Sequence, residues 1–211
     1  MVKYVRGVTM KGIIAVVTYN CNIMCSSCSY GCGPHRKGIM SPECFKEKVM
    51  EAYDKGYTDY LEICGGEPFL HTGIVFKYLK KIRDININKI VVTNGFWGKM
   101  DNYTEIIMYL RKRGIAKVIL EYDSFHSVFI DQETILAAVR KCSMCGIDVV
   151  IRAVFQTSNL STPYDLKTLD IMRSIRKRWG NLVFECKTAE HYRGLYSHDE
   201  KINKLLILPK A

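Results

Sequence analysis

Six short, mostly apolar and β-branched runs alternate along this chain with segments whose apolar residues recur at helical spacing, and that alternation restricts the fold more than any other feature. The runs are 12–18, 60–64, 89–93, 117–121, 148–155 and 181–186. Nearly continuous apolar character, rather than strict alternation, marks strands buried on both faces, as in a parallel sheet. Between them Phe45, Val49, Ala52 and Tyr53 share one helical face, as do Ile74, Val75, Tyr78, Leu79 and Ile82. The same spacing recurs at Tyr103, Ile106 and Leu110, at Ile135 and Val139, and at Leu166, Leu169 and Met172. Ser41 followed by Pro42 and Glu43 signals a helix start, while Gly56, Gly114, Gly146 and Gly180 signal four ends. Strands alternating with helices predict an α/β fold with right-handed crossovers and fewer strands than a closed eight-stranded barrel needs.

A parallel sheet collects functional groups at the carboxyl ends of its strands. Cys21, Cys25 and Cys28, at C-x3-C-x2-C spacing, follow the first run, and Gly65-Gly66-Glu67-Pro68 follows the second. Thr93-Asn94 ends the third, the stretch from Glu121 to His126 ends the fourth, and Arg152 lies in the fifth. Three thiolates hold three irons of a [4Fe-4S] cube and leave the fourth to a small-molecule chelate. Adding Cys32 instead permits a closed, noncatalytic iron-sulfur or zinc module with Cys21, Cys25, Cys28 and Cys32 as ligands. Gly65 and Gly66 allow close backbone approach to a ligand, with Glu67 as a charged acceptor, against the plainer reading of a turn. Thr93, Asn94 and Ser124 either bond a ligand or cap helices. Arg152, inside an apolar strand, requires an anion or solvent, and His126 either exchanges a proton with substrate or caps a helix.

The triad and the glycine-glycine-glutamate-proline turn resemble the radical S-adenosylmethionine (SAM) superfamily over about residues 12–187. Asp123-Ser124-Phe125 is similar to a strand-four signature of several members, viperin among them. The resemblance implies a TIM-like partial (β/α)6 barrel in which Cys21, Cys25 and Cys28 bind one [4Fe-4S] cluster. It also implies that Gly65, Gly66, Glu67, Thr93, Asn94, Ser124 and Arg152 hold SAM. The activity implied is reductive cleavage of SAM to a 5'-deoxyadenosyl radical that takes hydrogen from a substrate, with a flavodoxin- or ferredoxin-like electron donor. A peptide or protein substrate is expected, because an open barrel without a C-terminal cap leaves room for one; a small anionic metabolite or nucleotide is the alternative. The family usually carries an aromatic residue before the third cysteine, where this chain has Ser27, so the adenine contact is open between Tyr30 and Phe155.

The whole chain, 211 residues and 48% hydrophobic, is expected to be one domain, with 188–211 as a short tail and no SPASM-type extension. No apolar run approaches the roughly 18 residues of a membrane span, and residues 1–9 lack the apolar stretch of a signal peptide. Nine cysteines, an odd number, fit a reducing cytoplasm better than a disulfide framework. Cys142 and Cys145 form a C-x2-C pair, but at a helix end on the opposite side from the triad, so they are expected as packed thiols. The net charge of +10 admits an acidic partner such as RNA. Most of the clustered cations, however, fall at helix carboxyl ends, where the helix dipole accounts for them. A smaller rim group, Arg36, Lys37, Lys99, Lys187, His191 and Arg193, is left to face a substrate.

Overall fold

The computed structural model describes residues 10–188 and 204–208. Six βα-type strands lie in chain order: β1 (Gly12–Thr18), β2 (Tyr60–Gly65), β3 (Asn88–Thr93), β4 (Ile115–Glu121), β5 (Asp148–Phe155) and β6 (Val183–Thr188). Five helices connect them: α1 (Pro42–Asp54), α2 (Thr72–Lys81), α3 (Tyr103–Lys112), α4 (Gln132–Met144) and α5 (Pro163–Arg178). A seventh strand, β7 (Lys204–Ile207), pairs parallel with β1, so the sheet order is β6-β5-β4-β3-β2-β1-β7. This is the partial α/β barrel expected, left open between β6 and β7. The expected tail therefore differs in part: its described residues close one sheet edge, with Ile207 buried against the core beside Ala15.

Local chemistry explains the helix limits. Ser41 accepts the Cys44 amide with Pro42 in the first turn, and Thr162 and Asp165 form a reciprocal capping box on α5. Gly56, Gly114 and Gly146 take positive φ where their helices end. Gly180 does not; α5 ends one residue earlier, on Trp179, whose amide still reaches the Ile175 carbonyl. Basic residues occupy the last turns of α2, α3, α4 and α5, as the dipole favours. No helix among the described residues is long and apolar enough to cross a membrane.

Side chains on a strand alternate between faces, and here the two faces have different work. Ile13, Ala15, Val17, Leu61, Ile63 and Ile151 point under the helices into the main core. Ile14, Val16, Cys64, Val92 and Ile119 form a smaller cluster on the other face. Charged residues join that second face: Glu62 on β2, Glu121 on β4, Arg152 on β5 and Glu185 on β6. Register places Glu121, Arg152 and Glu185 abreast on adjacent strands. If β7 docks as described, Ile207→Ala should cost about 2–4 kcal/mol, read as a lower urea midpoint, whereas an unchanged midpoint would mean that the strand adds nothing to the core.

Candidate active site

The loop after β1 is tied shut at its mouth. Asn20 bridges to Gly33, the Cys21 amide donates to the Gly33 carbonyl at 3.2 Å, and the Gly33 amide donates to the Tyr19 carbonyl at 3.2 Å. Within that mouth the Cys28 amide bonds the Cys25 carbonyl and the Gly31 amide bonds the Cys28 carbonyl, which turns the segment tightly. As a result Cys21, Cys25, Cys28 and Cys32 all face one cavity of about 470 Å³. Gly65, Gly66, Thr93, Asn94 and Arg152 line it too, as do Ser27, Tyr30, Glu62, Glu121 and His126.

The thiols are not independent. Cys25 and Cys32 both hydrogen-bond Cys28, which draws the Cys28 pKa far below the usual thiol range. Donating to Cys28 and burial push Cys25 and Cys32 well above it, and burial pushes Cys21 up to about 12. These contacts run pairwise through Cys28, and among the described residues no three His, Cys, Asp or Glu side chains close around a single metal ion. Metal loading here must expel protons. The wall fits a polar, sulfur-ligated occupant: four thiols converge on it, and the Ser29 hydroxyl beside them is buried with no hydrogen-bond partner among the described residues.

The glycines also serve a contact within the protein. A Cβ on Gly65 would lie 2.4 Å from the Thr18 carbonyl oxygen, and one on Gly66 would lie 2.0 Å from that of Asn20. They let β2 close onto the cysteine loop, which the Gly66 amide bonds at Thr18 and the Glu67 amide bonds at Asn20. Gly65 and Gly66 still line the cavity. Glu67 does not: its fully buried carboxylate accepts from the Phe69 amide, the Thr93 hydroxyl and the Asn94 amide, and burial pushes its pKa up to about 7 against those donors. It is a tie between β2 and β3.

Thr93 and Asn94 reach the cavity while also serving local bonds. The Thr93 hydroxyl accepts from the Gly95 amide and the Trp97 indole, and Asn94 accepts from the Phe96 amide. The Asn94 side-chain amide donates to Asn22 at 2.9 Å and lies 3.7 Å from the Cys21 sulfur, so β3 touches the cysteine loop directly. Ser124 stands behind the wall. Its amide donates to Thr168 on α5, and its hydroxyl is buried without a partner among the described residues.

Arg152 finds its anion within the protein. It bonds Glu62 through both terminal nitrogens, at 2.8 and 3.2 Å, and Glu185 through Nε at 2.9 Å; Glu121 lies 3.9 Å away. The sequence reading missed Glu62 and Glu185. The available signal was the same one that exposed Arg152: a charge in the middle of an apolar strand, which at 3% exposure must be paired. Lys187 pairs with Glu185 at 3.2 Å and Lys99 with Asp131 at 2.9 Å, while Arg36 lies over the Tyr19 ring. His191 and Arg193 lie outside the described residues. Among the described aromatics, Tyr30 lines the cavity and Phe155 does not. Cys142 is buried in α4, and Cys145 faces the Thr104 carbonyl, away from the cavity.

His126 is held in a fixed orientation on the wall. Its Nδ1 donates to Asp123 at 2.8 Å, and Asp123 also accepts the Phe125, His126 and Val154 amides. Burial pulls the imidazole pKa down, but the Asp123 charge and bond outweigh it and hold it at about 9. A raised pKa stabilises the fold fully below the ordinary value near 6.5, and that contribution is lost as pH rises through about 9. Between those limits His126→Asn should therefore flatten the decline of the unfolding free energy with pH; an equal slope in both proteins would refute the ion pair.

A family model for the radical SAM superfamily matches residues 15–166. Among curated proteins the chain is similar to YydG of Bacillus subtilis strain 168, a protein named for peptide biosynthesis, at 25% identity over 120 residues. That match covers 54% of this chain and 36% of YydG, so the chain spans well under half of that relative. Among solved structures it is similar to a radical SAM methyltransferase from Sphaerobacter thermophilus, with TM-score 0.58 and 14% identity over 94% of this chain and 66% of that one. It is also similar to the methyltransferase TsrM from Kitasatospora setae, solved with cobalamin and a [4Fe-4S] cluster, with TM-score 0.57 and 16% identity over 84% and 36% of the two chains. At such identities the structural likeness speaks for the fold. The family match, over most of the chain and across every strand that bears on the cavity except β1's first residues and β6, places this protein in the radical SAM superfamily.

Proposed function

We infer that this chain is a radical SAM enzyme in which Cys21, Cys25 and Cys28 hold one [4Fe-4S] cluster and the remaining iron faces the cavity. The observation that carries the reading is the convergence of the motif thiols, the Gly65-Gly66 turn and the Thr93-Asn94 strand end on one cavity. When bound, the cluster supplies the electron that cleaves SAM to a 5'-deoxyadenosyl radical. The protein's part is positional. The closed mouth at Asn20 and Gly33 fixes the thiols, Asn94 steadies the loop at Asn22, and Gly65 and Gly66 present backbone to the SAM methionyl group. Arg152 sits where a SAM carboxylate can join its existing acidic partners, Ser124 supports the wall from behind, and Tyr30 takes the aromatic place that Ser27 leaves vacant. His126 is the residue best placed to exchange a proton with substrate. A flavodoxin- or ferredoxin-like donor in the cytoplasm would supply the electron.

The substrate reading is a peptide or protein. YydG's name supports it. Anaerobically reconstituted protein given dithionite and SAM should release 5'-deoxyadenosine. Cys25→Ala should lose the cluster and the product together, while Cys142→Ala combined with Cys145→Ala should keep the iron content of the wild type. A full cluster spectrum in the Cys25 variant would overturn the ligand set. An intact wild-type cluster that leaves SAM uncleaved would favour the noncatalytic module.

A further inference from the structure

Beyond the three motif thiols, Cys32, Cys64 and Cys186 line the cavity, and Cys32 is anchored as firmly as the motif thiols. Cys32 is 6% exposed, next to Gly33 at the tied mouth of the loop, across that mouth from Cys21. Its amide donates to the Cys28 sulfur at 3.3 Å, and its thiol bonds the same atom. Cys28 is thus shared between a motif partner, Cys25, and a cysteine outside the motif. The other cavity thiols differ. Cys64 lies on β2 within the apolar cluster of the sheet face, and Cys186 lies on β6. Only Cys32, among the described non-motif cysteines, is held on the cluster-binding loop itself by a direct contact to a motif sulfur.

We propose that Cys32 is a displaceable fourth ligand, which occupies the cluster's open iron while SAM is absent and leaves it when SAM binds. The proposal rests on the cluster assignment made above and adds a resting state to it. The short Cys28-to-Cys32 loop, with Gly31 at a φ of 58°, brings the fourth sulfur back toward the third. Thiolate is the best protein ligand for iron in such a cluster, and a buried thiol beside an open iron has a stronger claim on it than water. Exchange conserves charge and protons. The Fe–S bond to Cys32 breaks as bonds from the methionyl nitrogen and carboxylate form; the methionyl ammonium loses one proton, the released Cys32 thiolate gains one, and no electron moves. Such a device would protect the labile iron and make SAM compete for its own site.

The test reads the cluster rather than turnover. Full-length protein is reconstituted anaerobically, treated with limiting ferricyanide in the absence of SAM, and examined for the [3Fe-4S] electron paramagnetic resonance signal that marks loss of an open iron. Wild type should keep its irons, and Cys32→Ala should give several-fold more [3Fe-4S] signal; Cys32→Ala should also bind SAM several-fold more tightly, having lost the competitor. Cys32→Ser, nearly isosteric, repeats the comparison if the alanine variant loads poorly. Equal signal in wild type and both variants, whether high or low, overturns the fourth ligand. That outcome in protein that still cleaves SAM leaves the cluster assignment standing, whereas cluster retention in Cys25→Ala would fail both.

Discussion

The backbone of Gly66 runs so close to Asn20 that only hydrogen fits between its Cα and the Asn20 carbonyl. That approach welds the end of β2 to the loop after β1, through the Gly66 amide at 2.7 Å and the Glu67 amide at 2.9 Å. The rest of the site follows from it. With the mouth of the loop held, the four thiols have one direction in which to face, and Glu67 then carries the tie onward to Thr93 and Asn94 on β3. A side chain at either glycine would have to part the two segments, and the thiols would move with them. The glycine-rich turn thus acts on the cysteine thiols by packing.

The inner face of the sheet adds an electrostatic constraint. Arg152 reaches from β5 across to Glu62 on β2 and along to Glu185, its register partner on β6. Removing one member of such a buried group leaves an uncompensated charge and typically costs about 3–5 kcal/mol. At the cavity wall Glu62 and Glu121 stand beside Arg152 and Lys187, so the acids there are met by bases. His126, fixed by Asp123 at the same wall, adds a cation that keeps its charge through neutral pH and loses it only as pH rises through about 9.

Strand and helix order was legible because each run is long enough for its period to show, and because caps such as Ser41-Pro42 are local chemistry. The cysteine loop was legible for the same reason: its spacing is written within eight residues. What escaped depends on tertiary contact. β7 is four residues long and gains its meaning only beside β1. The roles of Gly66 and Glu67 depend on Asn20 and Asn94, which the sequence places 46 residues before Gly66 and 27 after Glu67. Arg152 announced that it needed an anion, but Glu62 lies 90 residues away, and a single chain carries no mark of that pairing. Ser124 gains a contact of the same kind, its amide bonding Thr168 44 residues on.

The central claim is that three cysteines hold the cluster and leave one iron for SAM inside this cavity. Electron-nuclear double resonance on the reduced, reconstituted protein, with SAM labelled with ¹⁵N at the methionyl amine and ¹⁷O at its carboxylate, tests it most directly. The account predicts hyperfine coupling from both labels to the cluster, as expected for a chelate on one iron. A reduced [4Fe-4S] signal that shows neither coupling at saturating SAM would contradict it.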